Sequence, residues 1–293
     1  MSILLNSTTR VLLYGVETPL AIAQCPAMLK AGTVIVGAVT SELRHSETPF
    51  DSFTSSADAL RHVGHVDLAV TFSPPSKAMA TTFEAIDAGI RTVVSMTEYV
   101  PVHDALLMRR KARASGALLI GPNSTGILTP RQARAGYFCD DVCIPGNVGV
   151  LAKSGSVAYA ALSEMKASGI GASTIASVGG DLVKGADYRD LLALFERDPE
   201  TDAVLLLGEV GGDDEEQAAA FVREHMRKPV VAFISGKSVK PGQNVGHAGA
   251  IVTGGKGGHA GKVTALLGAG VSVASEFSEI VPLLKAVEPR SAA

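Results

Sequence analysis

The sequence predicts an α/β protein of two domains, each a parallel β-sheet with helices on both faces. Three observations carry this. Short runs rich in Val, Ile and Leu alternate with helix-length segments through both halves of the chain. Hydrophobic residues make up 46% and aromatics 5%, with no Trp, which leaves the aliphatic core of doubly covered parallel strands. The length, 293 residues, is about that of two ordinary domains.

In the first half the strands are expected at Arg10–Tyr14, Val34–Val39, Asp67–Phe72, Thr92–Ser95 and Ala117–Ile120. Between them the spacing predicts helices over Pro19–Lys30, Ser56–His62, Lys77–Ala88 and Asp104–Ser115. Ser76 is read as the residue preceding one helix and Gly89 as the residue following its last turn. A polar segment with Gly and Pro, Thr129–Gly149, then breaks the rhythm, and its core Tyr137–Ile144 has the pattern of a short hairpin. The second half resumes with strands at Val148–Ala152, Ser173–Val178, Ala203–Gly208, Val230–Ile234 and Val271–Val273. Its helices fall at Ser156–Ala167, Tyr188–Glu196, Glu215–His225, Ala260–Leu267 and Phe277–Ala286. The domains are therefore read as 1–129 and 148–293, with 130–147 as a linker or hairpin.

Composition excludes several classes of function. A net charge of −3 without a basic block argues against nucleic acid or an anionic membrane as partner. No apolar run reaches the roughly 18 residues of a membrane span, and the N-terminus lacks the pattern of a signal peptide. Three cysteines, Cys25, Cys139 and Cys143, fit a reducing cytoplasm. Cys139 and Cys143 have no second ligand pair nearby, so no metal site is expected.

Chemistry concentrates in the turns that leave the strands, because open parallel sheets bind ligands at their carboxyl ends. The segment Gly246–Lys262 holds seven glycines in seventeen residues and a Gly-flanked histidine, His247. Dense glycine gives up backbone entropy, and the usual compensation is close approach of bare N–H groups to an anion such as phosphate. An imidazole in such a loop can also carry a phosphoryl group covalently. Lys153-Ser154-Gly155-Ser156 follows a strand and opens a helix; Ser154 or Ser156 can cap it, and Gly155 lets an anion reach the first-turn N–H groups. Gly179-Gly180-Asp181 is another tight turn, and Glu209 stands at a strand end before Val210-Gly211-Gly212. A helix N-terminus, a carboxylate and a Gly-flanked histidine on one sheet edge suit a phosphorylated imidazole. Gly257–Lys262 resembles a P-loop, but it lacks the earlier glycine and has Val263 at the Ser/Thr position.

The first half is plainer. Its first turn, Gly15-Val16-Glu17-Thr18-Pro19-Leu20, has a single glycine and is no dinucleotide fingerprint. The turns Ser95-Met96-Thr97-Glu98 and Gly121-Pro122-Asn123-Ser124 could line a cleft for the adenosine or pantetheine end of a ligand, or be ordinary capped turns.

Taken together these residues resemble the α-subunits of succinate–CoA ligase (succinyl-CoA synthetase), in the NDP-forming acyl-CoA synthetase superfamily. The resemblance rests on Gly246-His247-Ala248-Gly249-Ala250-Ile251 with Gly254-Gly255-Lys256-Gly257, and on Ile120-Gly121-Pro122-Asn123. It rests equally on Ser154-Gly155-Ser156 with Tyr159, Gly208-Glu209-Val210-Gly211-Gly212, Glu84–Ile90 and Thr97-Glu98, and covers nearly the whole chain. It implies a Rossmann-like CoA-binding domain followed by a flavodoxin-like ligase domain. It also implies an ATP-grasp β-subunit, in an αβ or α2β2 assembly, that binds ATP or GTP with Mg²⁺. His247 would be the phosphorylated nucleophile and Glu209 would orient it. Ser154, Gly155, Ser156 and Gly246 would hold the phosphate, and Tyr159, Asn123 and Ser124 would lie near a small carboxylic acid substrate. Glu17, Thr18, Pro19, Leu20, Leu43, Met96, Thr97 and Glu98 fall where the family binds CoA.

The CoA loops depart from the family pattern. Glu17-Thr18-Pro19-Leu20 brings a negative charge and a rigid proline, and Ser41-Glu42-Leu43-Arg44-His45 stands where a lysine-bearing glycine segment is usual. A carboxylate beside a phosphate of CoA costs affinity unless paired. Ser124 stands where the family often has cysteine, and Tyr99 replaces a small residue. Two alternatives therefore accompany a CoA ligase: the same acyl-phosphate relay delivering to an amine, and a non-catalytic regulatory paralogue.

Overall fold

The computed structural model describes residues 2–40, 49–240, 242–243, 246–252 and 257–287. The chain forms two compact units, Leu4–Phe138 with Val183–Ala186, and Met1–Ile3 with Cys139–Leu182 and Asp187–Ala293.

The first unit contains β1 (Arg10–Tyr14), α1 (Pro19–Lys30), β2 (Val34–Val39), β3 (Ser52–Phe53), α2 (Ser56–Val63), β4 (Leu68–Thr71), α3 (Pro75–Asp87), β5 (Thr92–Ser95), α4 (Val102–Ser115) and β6 (Leu118–Ile120). Its strands pair in parallel in the order β3-β2-β1-β4-β5-β6. Order reverses beside β1, so the turn after β1 lies at the switch point where such sheets bind ligands. Residues of β1 and β4 are almost wholly buried because helices cover the sheet.

Two local expectations are corrected here. The α3 helix starts at Pro75 with Pro74 as its N-cap, so Ser76 lies inside the first turn; proline with φ preset near the helical value serves as the start signal. The hairpin is not at Tyr137–Ile144. It is β7 (Gly126–Thr129) against β8 (Ala133–Gly136), followed by a 3₁₀ turn at Asp140–Val142. Two glycines make this pairing possible, since a Cβ on Gly126 would sit 2.0 Å from the Ala135 carbonyl oxygen. The pair Ala133-Arg134 carries neither a β-branched nor an aromatic strand signal, whereas Tyr137-Phe138 carries the aromatic one.

The second unit contains β9 (Pro145–Ala152), α5 (Gly155–Ala167), β10 (Ala172–Ser177), α6 (Tyr188–Arg197), β11 (Ala203–Glu209), α7 (Asp214–His225), β12 (Val230–Ser235), α8 (His259–Gly268), β13 (Ser272–Ala274), a 3₁₀ turn at Phe277–Glu279, and α9 (Ile280–Val287). Within this unit the parallel order is β13-β12-β11-β9-β10. All seven residues of β11 are buried, so its last residue, Glu209, is carried to the sheet edge by a rigid central strand. Among the described residues no helix is long and apolar enough to cross a membrane.

All three cysteines are free. Burial pushes the Cys25 thiol up to about 11, and burial together with the nearby Asp140 pushes Cys143 up to about 12. Thiolate is the reactive form, so a thiol reagent at pH 8 is expected to modify half-exposed Cys139 in the native chain and reach the other two only after unfolding. Peptide mapping of the labelled sites checks this; rapid native labelling of Cys143 would contradict it.

Candidate active site

The carboxyl ends of β9, β10, β11 and β12 lie on one edge of the second unit, because these strands are parallel and adjacent. Each contributes a turn. After β9, Ser154 is the N-cap of α5, its Oγ accepting the Val157 N–H at 3.5 Å. The structure thus selects Ser154 over Ser156, which is exposed in the first turn. Gly155 opens the helix, and the free N–H groups there face the edge with the positive end of the helix dipole. Tyr159 sits half-buried in the second turn.

After β12 the chain returns as the glycine loop. Gly246 is exposed with φ of +78°, and His247 follows it. The His247 ring lies against Glu209, with Nδ1 2.9 Å from Oε2 and 3.1 Å from Oε1. The carboxylate side chain is 9% exposed and the imidazole 27%, so the pair is shielded while the ring remains reachable. A carboxylate only accepts, so Nδ1 carries the hydrogen, and in the neutral ring the lone pair is on Nε2.

Close backbone approach holds the loop. The Gly249 N–H donates to the Gly180 carbonyl at 3.3 Å, and the Gly211 N–H donates to the Gly257 carbonyl at 2.8 Å. A Cβ on Gly211, where φ is +98°, would fall 2.0 Å from the Gly249 carbonyl oxygen. A Cβ on Gly180 would lie 2.6 to 2.8 Å from three atoms of the His247 ring. The glycines of the β10 and β11 turns are therefore the space into which the histidine loop packs. Gly254, Gly255 and Lys256 lie outside the described residues.

A charged cluster stands behind Glu209. Lys153 Nζ bonds Glu215 Oε1 at 2.8 Å and Asp214 Oδ2 at 3.0 Å, while Lys262 Nζ bonds Glu215 Oε2 at 2.5 Å and Glu216 Oε2 at 2.9 Å. Glu215 and Lys262 are fully buried. Burial alone would lower the Lys153 pKa, but Glu215 and Asp214 outweigh it and hold the ammonium above its ordinary range. Tyr188 beneath Lys153 is raised by burial and by Glu215, Glu209 and Asp214, and stays a phenol that donates to the Leu207 carbonyl at 2.9 Å. Sequence reading missed Glu215 and gave Lys153 and Lys262 no role. The available signals were a lysine directly before the α5 cap and acids directly after Gly211-Gly212.

In the first unit, Thr18 caps α1, accepting the Ala21 N–H at 3.3 Å, and Pro19 occupies its first turn with Leu20 half-buried behind it. Glu17 accepts a hydrogen bond from the Thr40 hydroxyl at 3.2 Å, which engages one oxygen of the carboxylate. Leu43 and its neighbours 41–48 lie outside the described residues. The Met96–Glu98 and Gly121–Ser124 turns adjoin: the Asn123 N–H donates to the Thr97 carbonyl at 2.9 Å, and the Ser124 N–H to Ser95 at 3.4 Å. Met96 is buried, with its Cε toward Gly136, while Glu98 is exposed. At this same edge the buried Thr71, Ser73 and Ser95 hydroxyls have no hydrogen-bond partner among the described residues. Such groups fit an edge that binds a polar ligand.

Comparisons with known proteins bear on the family and the fold. Residues 145–287 match the family described as succinyl-CoA ligase like flavodoxin domain, and residues 6–99 match the CoA binding domain family. The chain is 38% identical over 287 residues to succinate–CoA ligase [ADP-forming] subunit alpha 1 of Archaeoglobus fulgidus, covering 98% of each chain. It belongs to the succinate–CoA ligase α-subunit family. Another relative is the ADP-forming sulfoacetate–CoA ligase subunit of Bilophila wadsworthia, 37% identical over 98% of this chain and 99% of that one. Among solved structures, ATP citrate lyase from Methanothrix soehngenii, in complex with citrate and coenzyme A, superposes with a TM-score of 0.87 at 26% identity. That match covers 97% of this chain and 50% of the lyase chain. The names of these two ligase relatives differ in the acid, succinate in one and sulfoacetate in the other.

Proposed function

We propose that this chain is the α-subunit of a nucleotide-dependent carboxylate–CoA ligase that works through a phosphohistidine. The observation that carries the reading is the Nδ1 contact of His247 with Glu209, 2.9 Å long, in a loop docked on glycines. It leaves Nε2 as the nucleophile. The Nε2 lone pair attacks the terminal phosphorus of a nucleotide held with Mg²⁺ by an ATP-grasp β-subunit, and nucleoside diphosphate leaves. Glu209 stabilises the positive charge that develops on the ring. The first turn of α5, with the Ser154 cap, offers N–H groups to the transferred phosphate. A substrate carboxylate oxygen then takes the phosphoryl group, the N–P bond breaks, and an acyl-phosphate forms near Tyr159. The CoA thiol attacks the acyl carbon and phosphate leaves.

In the first unit the α1 start at Thr18–Leu20 and the Met96–Glu98 turn would hold CoA, with Glu17 drawn toward Thr40. The nucleotide, ATP or GTP, and the αβ or α2β2 stoichiometry belong to the partner's half of the assembly. The free cysteines accord with a cytoplasmic enzyme.

The test is to combine the full chain with its ATP-grasp partner and γ-labelled ATP. Acid-labile label is expected on His247 and should be discharged by succinate with CoA, or by another small carboxylic acid with CoA, as thioester forms. Absence of label from His247 would reject catalysis and favour a regulatory paralogue. Discharge that yields an amide with an amine, and no thioester with CoA, would assign the other acceptor.

A further inference from the structure

We propose that Glu215, clamped by Lys153 and Lys262, is the positioning residue that holds Glu209 against His247 and so sets the rate at which His247 takes a phosphoryl group. This rests on the phosphohistidine reading and assigns the buried cluster that reading leaves unused. Glu215 Oε1 accepts the backbone N–H of Glu209 at 3.2 Å and the Lys153 ammonium at 2.8 Å, and Oε2 accepts Lys262 at 2.5 Å. Lys262 in turn donates to the Gly212 carbonyl at 3.1 Å.

One carboxylate thus joins three pieces of the site. The first is the end of β11, which carries the orienting Glu209. The second is the residue beside the Ser154 cap, which would face the phosphate. The third is α8, into which the histidine loop leads. A side chain without exposure cannot exchange these partners for water, so the three pieces are held in one geometry. A second observation is independent of the charges. A Cβ on Gly208 would lie 2.8 Å from Glu215 Cγ and 2.9 Å from Oε1, so the residue before Glu209 is bare where Glu215 passes. Burial of so many charges is weak evidence for stability, which leaves positioning as the better account.

Three variants test this in the full chain: Glu215→Gln, Gly208→Ala, and the double replacement Glu215→Leu with Lys262→Met. The double variant removes both fully buried partners and leaves Lys153 its bond to Asp214. Thermal unfolding should therefore show it more stable than Glu215→Gln, in which buried Lys262 loses its buried counter-charge and keeps only the partly exposed Glu216. Label transfer to His247, with the partner subunit and γ-labelled ATP, is expected to fall by about ten- to a hundredfold in all three. The apparent KM for ATP should not change.

Ring ¹⁵N NMR of His247 in the chain alone gives the readout that stability does not move. The wild type should show a hydrogen fixed on Nδ1, and the variants a mixture of the two tautomers. A double variant with the wild-type rate and ring signature would overturn the proposal. Failure of the wild-type chain to take label would instead reject the phosphohistidine reading, while the ring signatures still report on the clamp.

Discussion

Replacing Glu209 by glutamine is expected to slow phosphorylation of His247 on the order of 10³- to 10⁴-fold, the cost of a mis-set tautomer where a carboxylate orients a catalytic histidine. The carboxylate contacts Nδ1 through both oxygens, at 2.9 and 3.1 Å, and it can only accept. That fixes the hydrogen on Nδ1 and the lone pair on Nε2. A glutamine amide can turn its NH₂ toward Nδ1, which puts the hydrogen on Nε2 and removes the nucleophile. Phosphorylation also places positive charge on the ring in the transition state, which Glu209 offsets and a neutral amide does not. The side chain of Glu209 takes no part in the Lys153–Glu215–Lys262 bonds, so the melting temperature should stay near that of the wild type. The initial rate of acid-labile labelling measures the effect. A rate within tenfold of wild type would mean that Glu209 does not set the state of His247.

Gly180→Ala is expected to produce the second large loss, about a hundredfold in the same rate, by pushing the His247 ring roughly 1 Å from its place. The added methyl would lie 2.6 Å from Cγ and 2.8 Å from Nδ1 of the ring. Gly180 is not in the left-handed region, so alanine brings no backbone strain, and folding stability should change by less than about 1 kcal/mol. Activity lost with the melting temperature kept is the distinguishing result. Gly211 differs: its φ is +98° and the clash there is with backbone, so substitution would strain the fold as well. If Gly180→Ala labels His247 as fast as wild type, the loop accommodates the methyl and the glycine is a turn residue only.

Much of the architecture was legible locally. Strand β1, helix α1 and strands β2 and β5 span the residues their patterns predict. Long buried parallel strands advertise themselves as apolar runs between turn residues. The misses share a cause, which is that local signal was weak or outbid. Strand β3 has two residues, too few for a period, and β8 is written in Gly, Ala and Arg. At the site, His247 and Glu209 could be picked out because a Gly-flanked histidine and a strand-end acid are unusual neighbours of turns. Glu215 and Lys262 could not, since an acid at a helix start reads as dipole compensation and a helical lysine reads as surface.

The sequence alone therefore determined the α/β alternation, and it singled out the turns proposed to carry chemistry and His247 as the proposed reactive group, because each is encoded within a few neighbouring residues. Only the tertiary structure decided which ring nitrogen faces the carboxylate, which glycine makes room for the ring, and which buried carboxylate stands behind Glu209. Those facts join residues 153, 180, 209, 215, 247 and 262. Parallel strands connected through helices bring such distant positions to one edge, and no local pattern records the distances between them.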